Sequence, residues 1–166
     1  RPDYLNLRGV LEALKPPRVL ACTATATPAV RTEILSQLGL EDATVILRGF
    51  ARPNLGLAAR DVPGAGQRRT VALAALRRAL GDPGRCEGAG IVYAGTRRET
   101  EQTADVIGAC GWRTAPYHAG LDGDVRSRVN RAFAAGRLDV VVATNAFGMG
   151  IDRPDIRTVI HVNAPG

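Results

Sequence analysis

A chain of 166 residues with 45% hydrophobic side chains holds one full domain or parts of two, with enough apolar surface for a packed core. No apolar run approaches transmembrane length, and three scattered cysteines form neither a disulfide scaffold nor a paired-cysteine zinc site, so a cytosolic protein with buried thiols and no metal is expected. The balance of 22 basic against 16 acidic residues gives +6, nearly all of it arginine; this suits a nucleic-acid partner, although an arginine-rich composition throughout would raise the charge equally.

The opening Arg1–Pro2–Asp3 has neither a methionine nor a signal-peptide pattern and reads as a cut from a longer polypeptide. Tyr4, Leu5, Leu7, Val10, Leu11 and Leu14 then recur at near-helical spacing, and Pro16–Pro17 ends that helix. Residues 19–22 predict a short buried strand, followed by Thr23–Ala24–Thr25–Ala26. Thr27 fits an N-cap and Pro28 the first position of a helix that carries Val30, Ile34, Leu35 and Leu38 and stops at Gly39. Residues 44–47 predict another strand, 48–54 a connector, and 55–62 an extended segment broken by Pro63–Gly64–Ala65–Gly66. Over 67–80 the spacing predicts a helix with Val71, Leu73, Leu76 and Leu80 inward. Its Arg68, Arg69, Arg77 and Arg78 form an outward, solvated face.

The next buried strand is expected at 89–94. Thr96 to Glu99 has the capping-box form, with the Thr96 hydroxyl toward the Glu99 amide and the Glu99 carboxylate back toward Thr96. Capping is a sufficient explanation of both residues; a helix N-terminus with a hydroxyl can also meet a phosphate, and the two roles can coexist. A strand over 113–118 leads to Asp122 as the cap of a helix that buries Val125, Val129 and Phe133. The run 140–143, all β-branched or small, suits a strand buried on both faces of a parallel sheet. It stops at Thr144 and Asn145, then passes through Gly148, Met149 and Gly150 to a charged cluster of Asp152, Arg153 and Asp155 around Pro154. Residues 156–162 predict a last, partly alternating strand. Strand–helix alternation after residue 55 predicts right-handed βαβ units in a parallel sheet, an α/β fold whose ligands bind beyond the carboxyl ends of the strands.

The wording ATNAFGMGIDRPDIRTVIH over 143–161 resembles motif V of the RecQ family of DNA helicases, in superfamily 2. The run TATAT at 23–27 is similar to that family's motif III, and F-x-R-P-N at 50–54 to its hinge between two RecA-like lobes. The strand–Thr96–Arg97 step resembles motif IV, and Tyr117–His118–Ala119–Gly120–Leu121 the family's Y-H-A-G-L element. Arg126 stands where the family has arginine, while Asn130 departs from its usual glutamine. The resemblance implies a RecA-like, P-loop NTPase-type three-layer α/β/α fold with a mainly parallel sheet, the second lobe incomplete. Residues 1–48 would end the first lobe, 49–54 would connect, and 55–166 would be most of the second lobe with motifs IV and V.

The same resemblance implies an ATP-dependent 3′-to-5′ helicase of DNA repair or recombination. It would use ATP and Mg2+ and act on single-stranded and forked duplex DNA, in a bacterial cytoplasm, without a membrane. It assigns DNA contacts to Thr96, Arg97, Thr144 and, more weakly, Arg126, lobe coupling to Thr23, Thr25 and Gly150, and the nucleotide side to Asp152. No catalytic set is complete: the chain has no G-x-x-x-x-G-K-[ST] and no D-E-x-H, and it stops before an arginine-rich motif VI. The segment alone is therefore expected to be inactive. Alternatives are a non-catalytic nucleic-acid-binding or interaction module of RecA-like shape, and a superfamily 2 RNA helicase.

Overall fold

The computed structural model describes residues 6–23, 26–47, 52–148 and 153–163, and the chain divides into two compact units, Arg1–Leu57 and Ala58–Gly166.

Among the described residues of the first unit two helices form, α1 (Leu7–Leu14) and α2 (Pro28–Leu38). α1 ends where Lys15 turns left-handed and its N–H closes on the Leu11 carbonyl at 2.9 Å, one residue before the prolines that cannot continue it. α2 follows its predicted punctuation: the Thr27 hydroxyl accepts from Val30 N–H, Pro28 takes the first turn, and Gly39 at φ 66° closes the last. The strands expected at 19–22 and 44–47 do not form. A strand exists through a hydrogen-bonded neighbour, and among the described residues of this unit no ladder offers one. Leu20 and Ile46 are accordingly 88% and 78% exposed. The 55–62 segment likewise joins no ladder.

The described residues of the second unit form four strands, β1 (Ala89–Tyr93), β2 (Thr114–Tyr117), β3 (Val140–Ala143) and β4 (Ile156–His161), all parallel in the order β2-β3-β1-β4. Three helices accompany them, α3 (Ala65–Leu80), α4 (Arg97–Ala109) and α5 (Gly123–Ala134). The apolar run of β3 is buried on both faces, as its composition requires, and its side chains alternate between two cores. Val140 and Val142 join Val92, Leu76, Leu80, Ala104, Ile107 and Trp112 under α3 and α4. Val141 and Ala143 join Ile91, Tyr117, Val129, Phe133 and Phe147 under α5. The result is a three-layer α/β/α unit with β3 and β1 at its centre.

Two details set how tightly the layers close. Gly90 lets α3 approach β1, since a methyl there would stand 3.0 Å from the Leu76 side chain. Edge strand β4 alternates half-buried and exposed positions, so Val159 stays 51% exposed. The α3 arginines are not simply solvated: Arg68 lies 3.7 Å from Glu99, and Arg69 donates to Gln102 at 3.4 Å, linking α3 to α4. The thiols are not buried as expected either; Cys22 is exposed and Cys86 and Cys110 are half-buried.

Candidate nucleic-acid interface

Because the four strands are parallel and in register, their carboxyl ends share one edge of the sheet. Tyr93 pairs with Ala143 on one side and His161 on the other, and Tyr117 pairs with Ala143. The ladder hydrogen bonds continue one step past the strands: Ala94 N–H to the Ala143 carbonyl, Thr144 N–H to Tyr117, and Val162 N–H to Tyr93, at 2.8, 3.1 and 2.9 Å. Thr144 thus follows directly on β3, and Thr96 stands three residues beyond β1, the strand beside it.

Thr96 caps α4, its hydroxyl accepting from Glu99 N–H at 3.1 Å. The return arm of the expected capping box is replaced: the Glu99 carboxylate turns to Arg68. Gly95 N–H donates to the Asn163 side chain at 3.0 Å, tying the cap to the segment after β4. Thr96 and Arg97 are both exposed on this edge, beside the free amides and positive dipole end of α4. Arg97 lies against the loop after β2, where a Cβ on Gly120 would meet its Nη1 at 2.8 Å.

Thr144 is half-buried and opens a closed turn, its carbonyl accepting from Phe147 N–H at 3.0 Å. Arg126 is half-buried on α5, and its Nε is buried without a hydrogen-bond partner among the described residues. Asp122 takes the N-cap position of α5, but its carboxylate makes no cap bond, contrary to expectation; its ψ of 149° sets the entry while the side chain stays exposed. Thr23 is exposed in the first unit. Thr25, Gly150 and Asp152 lie outside the described residues.

Several residues that shape this edge were not singled out as site residues from the sequence. The Phe147 ring is buried between Tyr117 and Phe133, at centroid distances of 4.7 and 5.9 Å. Tyr93 donates its hydroxyl to the Phe147 carbonyl at 2.7 Å, and burial raises its pKa above the ordinary phenol value. His118 is buried against α4 with Nε2 3.1 Å from Glu101. The wording around Phe147 and the Tyr117–His118 element were the signals that could have pointed to Phe147 and His118; nothing local singles out Tyr93.

Of the charged cluster around Pro154, Arg153 and Asp155 are not part of this edge. Arg153 donates to the Phe133 and Leu138 carbonyls at 2.7 and 2.9 Å and stacks 4.6 Å over the Phe133 ring. Its fork on Asp155 holds that carboxyl below the usual range, and the Asp155 carbonyl receives Ala89 N–H where β1 begins. At the same opposite edge, Asp139 is buried, accepting from Arg113 N–H, from the Arg113 guanidinium and from the Cys86 thiol. Burial opposes its ionisation, but the Arg113 and Cys86 bonds outweigh burial and hold its pKa low; burial and then Asp139 push the Cys86 thiol up. These pairs fix strand entries, and nothing in them is built for a ligand.

Among the described residues no three His, Cys, Asp or Glu side chains gather to hold a metal ion, and no helix is long and apolar enough to cross a membrane. What the carboxyl edge offers chemically is hydroxyls, main-chain amides and a guanidinium around exposed ground, a set that suits phosphate oxygens.

Known proteins resemble this chain in sequence and in fold. Residues 72–166 match the helicase conserved C-terminal domain. Across 99% of its length the chain is 36% identical to RecQ-like DNA helicase blm-1 of Caenorhabditis elegans, of which it covers 16%. It is 35% identical, again over 99% of its length, to the probable ATP-dependent DNA helicase RecS of Bacillus subtilis, covering 32% of that protein. The chain therefore spans no more than about a third of these relatives. In structure it is similar to a variant of Saccharomyces cerevisiae Dbp5 bound to RNA and ADP–BeF3, with a TM-score of 0.65 at 19% identity over 87% of this chain and 36% of that one, a likeness of fold. The chain belongs to the helicase conserved C-terminal domain family, and the relatives it resembles along its whole length are RecQ-type DNA helicases.

Proposed function

We propose that this chain is the strand-holding part of an ATP-dependent DNA helicase that moves 3′-to-5′ along one strand and separates the duplex ahead of it. In this reading residues 1–48 belong to the first RecA-like lobe, 49–54 connect, and 55–166 are the second lobe. Thr96, Arg97 and Thr144 hold phosphates, Arg126 adds charge, Thr23, Thr25 and Gly150 couple the lobes, and Asp152 faces the nucleotide. The observation that supports this most is the register of β1 against β3, which sets the loop carrying Thr96 and Arg97 beside the loop carrying Thr144. Neighbouring strands lie about 4.8 Å apart, so one nucleic-acid strand laid across the edge reaches both loops.

In this reading ATP, with Mg2+, supplies the free energy and is bound mainly by residues outside this segment of the intact protein. Nucleotide state need only change how tightly each lobe grips the strand for the two grips to alternate. Forked DNA in the bacterial cytoplasm is the substrate and setting this reading assigns. The test is unwinding by the intact protein of a duplex with a 3′ single-stranded tail, one with a 5′ tail, and an RNA duplex. ATP-dependent separation of the 3′-tailed DNA alone is expected. Separation of the RNA substrate instead would make it an RNA helicase, and failure on all three, with no DNA-stimulated ATP turnover, would leave a non-catalytic binding module.

A further inference from the structure

The last residue of β1 does something that neither the strand nor the cap after it requires. The Tyr93 side chain runs past the end of the sheet and donates its hydroxyl to the Phe147 carbonyl at 2.7 Å. Phe147 closes the turn that begins at Thr144, through its N–H to the Thr144 carbonyl at 3.0 Å. The turn is therefore held twice at one residue: by the Phe147 ring wedged between Tyr117 and Phe133, and by its carbonyl bound from the neighbouring strand. The ring fixes depth in the core. The carbonyl bond fixes the turn laterally, against β1.

Tyr93 is itself well placed to act as a fixed post. Its carbonyl accepts from Val162 N–H at 2.9 Å, which braces it from the far side through the main chain, while its ring lies stacked on His161 of β4 at 4.9 Å. Three residues further along the chain stands Thr96, the start of α4. One side chain thus joins the two loops that lie side by side at the carboxyl edge.

We propose that Tyr93 is a positioning residue for strand binding: its hydroxyl locks the 144–147 turn to the end of β1, so that Thr144 and the Thr96–Arg97 helix start meet the same strand as one rigid unit. This rests on the strand-holding reading given above. Tyr93 does not itself touch nucleic acid; it acts through the placement of Thr144.

The test is Tyr93→Phe in the intact helicase, which keeps the ring and its stacking and removes one hydroxyl. Affinity for single-stranded DNA is measured over a range of salt, with melting temperature as the fold control. A neutral hydrogen bond is worth a modest factor, so affinity falls roughly threefold to tenfold. The dependence of affinity on salt stays as in wild type, because the contact that is lost carries no charge. Thr144→Ala lowers affinity similarly, and the double variant is no weaker than Thr144→Ala alone, because the two residues act in series. His161→Ala, which removes the stacked ring and leaves the hydroxyl bond, keeps affinity within about twofold.

Wild-type affinity in Tyr93→Phe, additive losses in the double variant, or an equal loss in His161→Ala would each overturn the proposal while the strand-holding reading stood. If Arg97→Ala and Thr144→Ala also bound DNA like wild type, that reading would fall and Tyr93 would have nothing to position.

Discussion

Arg97 lies on Gly120: the guanidinium from the first turn of α4 occupies the space that a Cβ would need in the loop after β2. The loop leaves this space because glycine has no side chain, and the arginine is thereby laid along the edge of the sheet instead of extending freely from the helix. Gly120→Ala would place a methyl 2.8 Å from Nη1 and 3.1 Å from Cδ. Gly120 has no left-handed φ, so alanine fits the backbone, and the flexible arginine gives way.

The expected result for Gly120→Ala is a melting temperature close to wild type and single-strand affinity reduced by less than in Arg97→Ala. Combined with Arg97→Ala, the substitution should have no further effect, since the group it displaces is gone. Affinities of the three variants by fluorescence anisotropy check this; a second, additive loss in the double variant would mean that Gly120 acts by another route.

At the opposite edge, Asp139 is a stability residue. It accepts from Arg113 and Cys86 inside the protein, so Asp139→Asn leaves donors mismatched in a buried place and costs about 1–3 kcal/mol. The pH dependence follows from its lowered pKa. The folded state binds the Asp139 proton less readily than the unfolded chain, whose carboxyl titrates near ~3.9. Its contribution is complete above that value and drains away as pH falls through the lower folded value. Urea unfolding of wild type and Asp139→Asn from neutral to strongly acid pH should show a stability gap that narrows at the acid end; a constant gap would contradict this account.

The parallel sheet was legible because β3 spells out a strand buried on both faces and because Thr27, Pro28 and Gly39 spell out helix ends. The expected strands at 19–22 and 44–47 failed for a reason no local pattern carries: four apolar residues predict burial, but only a neighbouring strand makes a ladder. The candidate edge was legible to the same depth. Thr96 declared itself through its spacing to Glu99, and Thr144 through the end of an apolar run. The ties that orient them were hidden, because Tyr93 to Phe147 and Arg97 to Gly120 are contacts between segments distant in sequence. Arg153 illustrates the reverse: grouped with Asp152 by adjacency, its side chain turns into the core of the opposite edge, where it makes four hydrogen bonds to two carbonyls and Asp155.

Asp152 follows the glycines of the same stretch, and its assignment to the nucleotide side makes a separable prediction. A carboxylate offers no attraction to phosphate, so removing it cannot directly cost DNA affinity. Asp152→Ala in the intact enzyme is expected to lower ATP turnover at saturating DNA far more than it weakens DNA binding. If affinity dropped while turnover at saturating DNA was preserved, Asp152 would belong to the strand side.

The arginine at the start of α4 provides the sharpest test of how the edge grips a strand. Free amides and the helix dipole already favour an anion at Thr96 and Arg97, and the guanidinium adds one full charge to that place. Phosphate contacts carry no sequence information, so Arg97→Ala should weaken binding about equally for unrelated single strands. Each neutralised phosphate releases condensed counterions, and losing one such contact should make the dependence of log affinity on log salt shallower by about one unit or less. Thr144→Ala, which removes a neutral hydroxyl, should lower affinity without changing that slope. Affinities of wild type, Arg97→Ala and Thr144→Ala for several unrelated strands, each measured across a salt series, separate the two effects. A slope unchanged in Arg97→Ala, or a loss confined to one sequence, would reduce Arg97 to an exposed neighbour of a structural helix cap.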